Sequence, residues 1–215
     1  MKKKLLSILA VTALFVSSAI AQFEGKIVYG LDYELPPAME SRKSMLPSEM
    51  IMLVSKEKTK FIQKTMMGEQ IVITNIKSNE TTLLMDMMGK KMAISVPAPT
   101  EEELQKEKLP VFKYDDKTKK IAGYKCKHAI MIVEDENGDE NEYDVYYTEE
   151  IPASANTKLK GLKGFPLEYT VVSNGMVIIA TAKEVKKEKF PKSEFVIPEG
   201  FEKMTLEEFQ KSMGM

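Results

Sequence analysis

Apolar and polar residues alternate along most of this chain, and this alternation constrains the fold more than any other feature of the sequence. Turn residues such as Asn137-Gly138 and Asn174-Gly175 separate the alternating runs. The runs lie at 23–33, 50–54, 61–66, 70–77, 81–87, 92–96, 120–135, 140–148, 167–173 and 176–187. Short alternating runs at a spacing of about ten residues predict antiparallel β-strands joined as a meander.

The two faces of the predicted strands differ in polarity. The apolar positions that recur at every second residue are Ile71 and Ile73; Leu83, Met85 and Met87; Met92, Ile94 and Val96; and Ile130 and Ile132. The alternate positions carry charges, at Asp86, Lys91, Lys125, Lys127, Glu142 and Asp144. Because side chains of a strand point to opposite sides in turn, we expect one apolar face and one solvated face.

Helices are predicted to be few and short. One is expected around 39–45, and two others begin at capping boxes, in which Thr100 precedes Glu103 and Thr205 precedes Glu208. The helix after Thr100 should end before Pro110. The predicted fold class is therefore α+β, a large curved antiparallel sheet with two or three short helices.

The first 21 residues have the pattern of a secretory signal peptide. Lys2, Lys3 and Lys4 precede an apolar run at 5–16, and Ala19-Ile20-Ala21 forms a cleavage site of small residues. The run is shorter than the roughly 20 apolar residues that a membrane span needs. We expect cleavage after Ala21, export to the periplasm or the exterior, and a single domain over 22–215 without a transmembrane segment.

The composition excludes several classes of protein. A single cysteine and a single histidine rule out a disulfide framework, a cysteine-rich zinc site and a multi-histidine metal centre. Lysine and arginine number 31 against 32 aspartates and glutamates, a balance that argues against a nucleic-acid-binding protein. We predict no cofactor and no metal site.

Three motifs follow one another in the second half of the chain: IAGYKCKH at 121–128, YYTEEIP at 146–152 and LKGFPLE at 162–168. With these motifs, with FEGKIVY at 23–29 and with FVIPEGF at 195–201, the chain resembles the domain of unknown function 4412. It also resembles the exported GLPGLI proteins, although residues 165, 167 and 168 depart from that motif and favour the 4412 family. The resemblance implies a fold similar to the periplasmic lipoprotein carriers, an open half-barrel with helices in its mouth. A fold-level likeness does not define a function.

Methionine is unusually frequent, with 16 residues, ten of them between Met39 and Met92. Its flexible, polarizable side chain suits a packed core and equally suits a cavity that accepts varied apolar ligands, and thioethers also bind Cu(I). We expect the methionine-rich sheet face to bind a lipid or another apolar molecule. The candidate ligand-binding residues are Met52, Ile71, Ile73, Leu83, Met85, Met87 and Met92.

Cys126 and His128 share one strand face, and with a methionine they could form a soft metal site. Their companions Ile130 and Ile132 favour burial instead, so we predict neither a metal-binding nor a catalytic role. The acidic stretch 134–140 is interpreted as a solvated hairpin tip, because its spacing does not match a calcium loop. Gly161, Gly164 and Pro166 indicate a turn before a strand or a loop at the rim of a cavity.

The sequence thus predicts a non-enzymatic exported protein of the cell envelope that binds an apolar ligand, either a lipid or a lipidated peptide. The alternative is a structural or interaction protein whose apolar face is closed and holds no ligand. A copper-binding protein is the third possibility, and an enzyme the last. No protein partner can be named from the sequence. A covered apolar face would favour the alternative, and an open cavity would favour ligand binding.

Overall fold

The structure, a computed structural model, describes residues 23–212 and 214 except 67, 88, 107–108, 136–137 and 174. The predicted signal peptide, Asn137 and Asn174 lie outside these residues. The described helices are α1 (Glu101–Lys106) and α2 (Leu206–Ser212), with 3₁₀ turns at Pro37–Met45, Ala153–Ala155 and Lys192–Phe195. The described strands are β1 (Gly25–Glu34), β2 (Glu49–Val54), β3 (Lys58–Thr65), β4 (Gly68–Asn75), β5 (Thr81–Met87), β6 (Lys90–Val96), β7 (Val111–Ile121), β8 (Tyr124–Glu134), β9 (Glu140–Thr148), β10 (Phe165–Ser173), β11 (Met176–Lys187) and β12 (Glu202–Thr205).

All twelve of these strands belong to one sheet, in the order β12-β6-β5-β4-β3-β2-β1-β11-β10-β9-β8-β7. Every neighbouring pair is antiparallel except β12 and β6, which run parallel. β7 and β12 stand at opposite edges of this order, so the sheet is open. The predicted α+β class, with a large antiparallel sheet and few short helices, is confirmed.

Local sequence signals explain the ends of several elements. Glu103 and Thr100 form the reciprocal hydrogen bonds of a capping box at α1, and Glu208 and Thr205 do the same at α2, as predicted. The single strand expected over 120–135 is wrong, because a two-residue turn at Ala122 and Gly123 divides it. Both turn residues have positive φ angles, 46° and 91°, which match the right-handed twist of a β-hairpin.

The sheet is strongly curved, as two contacts of the loop at 149–164 show. The ammonium group of Lys158 lies 4.6 Å from the ring centroid of Phe61 on β3, and the Tyr114 hydroxyl on β7 donates to the Gly161 carbonyl at 3.5 Å. β3 and β7 are seven places apart in the sheet, which is roughly 34 Å in a flat one. β7 and β11 are four places apart, roughly 19 Å in a flat sheet, yet they have Cα atoms within 8 Å of each other, so the sheet must curl around this loop.

The concave side of the sheet, here called the inner face, carries the larger hydrophobic core. On β2 it presents Met50, Met52 and Val54, which pack with buried residues of β1, β3 and β8–β11. The loop at 149–164 fills this concavity with Ile151, Ala155, Leu159 and Leu162, all buried. The result is an open half-barrel whose centre is occupied by its own chain.

The opposite side, the outer face, has a second core over β2–β6. Leu53, Ile71, Ile73, Leu84 and Ala93 are buried there under Phe195, with Phe190, Ile197 and Phe201 packed at the border. The expectation of one apolar and one solvated face is therefore wrong for this half of the sheet. The segment at 190–201 supplies the cover that the strand pattern alone did not show.

Candidate functional site

The structure divides the predicted ligand-binding residues between the two faces of the sheet. Met52 lies on the inner face, and cross-strand pairing puts Leu83, Met85 and Met92 on that same side. Met87 occupies the corresponding register position at the end of β5. The inner face therefore brings together Met52, Leu83, Met85 and Met92.

Ile71 and Ile73 do not join this group. Ile71 pairs with Leu84 and Gln70 with Met85, so both isoleucines point to the outer face and belong to the core beneath Phe195. The expectation that they lie beside Met85 on one surface is wrong. Alternation fixes which residues of one strand share a side, but a one-residue difference in register exchanges the sides between neighbouring strands.

The part of the inner face around Met52 is closed. Met52 is 2% exposed and Phe61 is 6% exposed, beneath the loop at 149–164. The crevice that remains beside them measures about 10 Å³, which is close to the space for one water molecule. This region is a packed core and has no room for a lipid.

Lys158 closes the same region from the loop. Its ammonium group lies over the Phe61 ring, and desolvation lowers the pKa of this lysine, although part of its side chain reaches solvent. A cation over an aromatic face is attracted by the ring quadrupole. The contact holds the loop against β3 and favours a closed inner face at this point.

The inner face is less completely covered at β5. Leu83 and Met85 are half-buried, whereas their neighbours Met92 and Ile94 on β6 are buried, at 5% and 0% exposure. Val72 on β4 pairs with Leu83 and packs at the border of the inner core. An apolar row, formed by Leu83 and Met85, therefore continues the inner core toward solvent; it is here called the β5 row.

Cys126 and His128 are both fully buried, as the sequence predicted. Burial raises the pKa of the Cys126 thiol to about 11, so the thiol is protonated and unreactive at neutral pH. In the described part of the chain, no group of three or more histidine, cysteine, aspartate or glutamate side chains is arranged to hold a metal ion.

His128 is flanked by two carboxylates, and the sequence pattern had placed one of them, Asp144, on the opposite side. Its Nε2 atom lies 2.7 Å from Oδ1 of Asp144, which pairs across the sheet with Ile130 and so shares its face. Its Nδ1 atom lies 2.9 Å from Oδ2 of Asp115, in a contact that departs from hydrogen-bond geometry. The expected separation of Asp144 from His128 and Ile130 is wrong.

A bulge in β7 brings Asp115 to this position. The pairing of β7 with β8 shifts between Tyr114 and Thr118, and a bulge of this kind redirects the side chains within it. Desolvation raises the pKa of Asp115, but the hydrogen bond from the Lys117 amide and the contact with His128 outweigh it, so the pKa lies below its usual range. The Tyr146 ring covers His128 at 4.8 Å between centroids. This arrangement stabilises the sheet and leaves the imidazole without access to a substrate.

Two sets of residues that shape the site were missed from the sequence. Asp115 begins the mostly charged run at 115–120, which lacks the alternation of apolar and polar residues that predicts a strand. The loop residues that fill the concavity lie at 151, 155, 159 and 162, a spacing of three to four residues that indicates one inward-facing side. That spacing was the available signal for a closed inner face.

No helix in the described residues is long and apolar enough to cross a bilayer. Among solved structures, the chain is similar to a LolA superfamily protein from Nitrosomonas europaea, with 9% identity and a TM-score of 0.35 over 82% of this chain and 91% of the other. A search of curated proteins found no match.

A comparison with protein families gives a match over residues 53–206. The matched region begins in β2 and ends at the start of α2, so it includes most of the inner face, the loop at 149–164 and the outer core. The resemblance to the domain of unknown function 4412 and to the GLPGLI proteins stays a prediction. Because the match covers well over half of the sequence, the chain belongs to the family described as the N-terminal domain of the N-glycanase peptide.

Proposed function

We propose that this chain is a non-enzymatic binding protein of the cell envelope, which holds an apolar ligand on the β5 row of its inner face. The ligand class is a lipid or a lipidated peptide. The observation that carries the proposal is the incomplete cover of Leu83 and Met85 beside a face that is otherwise buried. Met92 lies beside this row on the neighbouring strand β6, and Met87 follows Met85 in register.

Physical chemistry supports an apolar ligand at this place. Removal of apolar surface from water contributes about 25 cal/mol per Å², so a chain laid along the β5 row would gain from each contact. Methionine adapts its side chain to ligands of different shape, and Met85 faces Met92 across the strands. The site therefore favours an acyl chain over a rigid polar molecule. Copper binding by these thioethers stays a prediction.

The family description is compatible with a binding role. It names a domain that is N-terminal in an N-glycanase, and we propose that the domain binds and does not catalyse. In the described residues, His128 is shielded by Tyr146 and Cys126 is buried as a protonated thiol, so neither supplies an accessible base or nucleophile. Export after cleavage at Ala21, and a single domain over 22–215, are part of the same proposal.

A second function is favoured by one specific observation. The loop at 149–164 closes the inner face over Met52 and Phe61, as expected for a structural or interaction protein that holds no ligand. The two functions differ at the β5 row. In a ligand-binding protein the β5 row contacts the ligand. In an interaction protein the same row is only the border of a fully packed core.

A charge placed on the β5 row distinguishes the ligand-binding function from the interaction function. Met85→Asp should leave the protein folded, because a half-exposed carboxylate stays hydrated, and should weaken binding of the neutral apolar dye Nile red about tenfold or more, because the bound dye would desolvate that charge. Fluorescence titration measures the affinity, and thermal unfolding checks the fold. Thr82→Asp is the matched control, since Thr82 is also half-buried on β5 but faces the outer side.

Two results would contradict ligand binding at this row. One is a folded Met85→Asp protein that binds Nile red as tightly as the unmodified chain. The other is loss of the fold in Met85→Asp with retention in Thr82→Asp, since a closed core would bury an unpaired carboxylate at a cost of several kcal/mol. That second result would support the interaction protein.

A further inference from the structure

A cleft of about 430 Å³ opens at the outer side of the sheet, where β2 turns into β3 and the segment after β11 passes over them. This volume lies within the range of about 300–1,000 Å³ that is typical of small-molecule sites. The basic residues of its lining are Lys56, Lys58, Lys189 and Lys192. Its apolar wall consists of Phe190, Phe195 and Val196. Two acidic residues, Glu24 and Glu57, and one serine, Ser55, complete the lining.

The walls of the cleft are fixed in place by hydrogen bonds to the sheet. Lys58 donates from Nζ to the Phe195 carbonyl at 3.2 Å, and Lys60 donates to the Glu194 carbonyl at 3.0 Å and to its carboxylate at 2.8 Å. Phe190 and Phe195 meet edge to face, with centroids 6.2 Å apart. A concavity built on such anchored residues is formed before any ligand arrives.

Positive charge predominates in the lining of the cleft. Within the described part of the chain, the ammonium groups of Lys189 and Lys192 make no hydrogen bond or ion pair, and Lys58 uses one of its three ammonium hydrogens on a carbonyl. Four lysines stand against two glutamates in the lining. The cleft therefore has an excess of positive charge in a chain whose total charges almost balance.

Apolar surface adjoins this positive charge. Val196 is 52% exposed in the wall of the cleft, next to Phe195, which is 4% exposed. We propose that the cleft binds an anionic amphiphile, a carboxylate or phosphate group with an acyl chain. The lysines hold the anion, and Phe190, Phe195 and Val196 contact the chain. This site lies on the opposite side of the sheet from the β5 row and does not depend on ligand binding there.

Four probes test the chemistry by isothermal titration below their micelle concentrations. Dodecanoate and dodecyl phosphate carry the anion and the chain, dodecanol carries the chain alone, and inorganic phosphate carries the anion alone. We expect the two amphiphiles to bind at least tenfold more tightly than either partial probe. The tighter of the two identifies the headgroup as a carboxylate or a phosphate. Dodecanol binding as tight as that of the amphiphiles in Met85→Asp, in which the β5 row is disrupted, would overturn the proposal.

Variants place the binding in the cleft. Lys189→Gln and Lys192→Gln should each weaken the amphiphile about twofold to fivefold, the range for a solvent-exposed ion pair, and should reduce the dependence of affinity on salt. Val196→Asp should weaken it tenfold or more, while the exposed position preserves the fold. Lys64→Gln is the matched control, because Lys64 is an exposed lysine roughly 20 Å along β3 from Lys58.

The inner face supplies the final comparison. In Met85→Asp, which disrupts the β5 row, the amphiphile should still bind, and Lys189→Gln and Val196→Asp added to this variant should weaken that binding as they do in the unmodified chain. Loss of amphiphile binding in Met85→Asp, with full binding in the lysine variants and in Val196→Asp, would assign the ligand to the inner face and overturn this proposal. A different result would overturn only the function proposed for the β5 row. In that result, Met85→Asp binds Nile red with unchanged affinity, while the cleft variants weaken amphiphile binding as expected.

Discussion

Cys126 and His128 stand two residues apart on β8, and different interactions keep each of them inert. The thiol is shielded by apolar neighbours, and the imidazole is held between Asp115 and Asp144 under the Tyr146 ring. A nucleophile and a base in catalysis need contact with each other and with a substrate. The surroundings of these two side chains explain why a cysteine and a histidine at such short spacing stabilise the fold and do not form a reactive pair.

The thiol provides a test at the scale of one residue. Because burial raises the pKa of Cys126 to about 11, a thiol reagent at pH 8 should label the native protein slowly and the urea-unfolded protein rapidly. The native rate should rise as the pH approaches 11. Cys126→Ala should cost about 1 kcal/mol of unfolding free energy, the common loss for a small buried group. Rapid native labelling at pH 8 would show that the thiol is accessible.

The loop at 149–164 is the element that decides how much of the inner face remains available. Its return to the sheet depends on Gly164, where a Cβ atom would lie 2.5 Å from the Tyr147 ring and 2.6 Å from the Thr148 carbonyl oxygen. Gly161 earlier in the loop has a φ angle of 88°, and a Cβ atom there would make only an ordinary van der Waals contact, 3.8 Å from the Phe112 ring. The sequence interpretation of these glycines as a turn before a strand agrees with both positions, since β10 begins at Phe165.

Gly164→Ala should therefore destabilise the protein by about 1–3 kcal/mol, the usual cost of overpacking. Gly161→Ala is the matched comparison, and it should cost about 1–2 kcal/mol, since only its left-handed backbone disfavours alanine. Urea unfolding measures both. The Gly164 variant should also increase Nile red binding if the displaced loop uncovers Met52. Equal stability of Gly164→Ala and the unmodified chain would show that the loop does not pack against β9 as described.

Strands and capped helices could be predicted from sequence because their signals are local. β11 and β9 were located to the residue, and Thr100 and Thr205 marked the starts of both helices. Register between strands is not local, so Ile71 and Ile73 were assigned to the wrong side of Met85. The bulge that turns Asp115 toward His128, and the segment at 190–201 that covers the outer face, depend on contacts between distant parts of the chain. Those contacts also create the cleft, which no local sequence pattern indicated.

At the scale of the whole molecule, one curved sheet serves two separate surfaces. The inner face is filled by the loop at 149–164 except along the β5 row, and the outer face is covered by the segment at 190–201 with a basic cleft beside it. Both covers come from the second half of the chain, and both contact strands of the first half. Together these two segments cover most of the sheet and leave two places open. The β5 row is apolar, whereas the cleft is both apolar and cationic.

Methionine methyl resonances test the central claim most directly, because methionines occupy the β5 row, the closed inner core and the exposed surface. In protein labelled with carbon-13 at these methyl groups, dodecanol should shift the signals of Met85 and Met92. The signals of Met52, in the closed core, and of Met66, which is 74% exposed, should stay in place. Unchanged signals at Met85 and Met92 under saturating dodecanol would contradict ligand binding on the inner face.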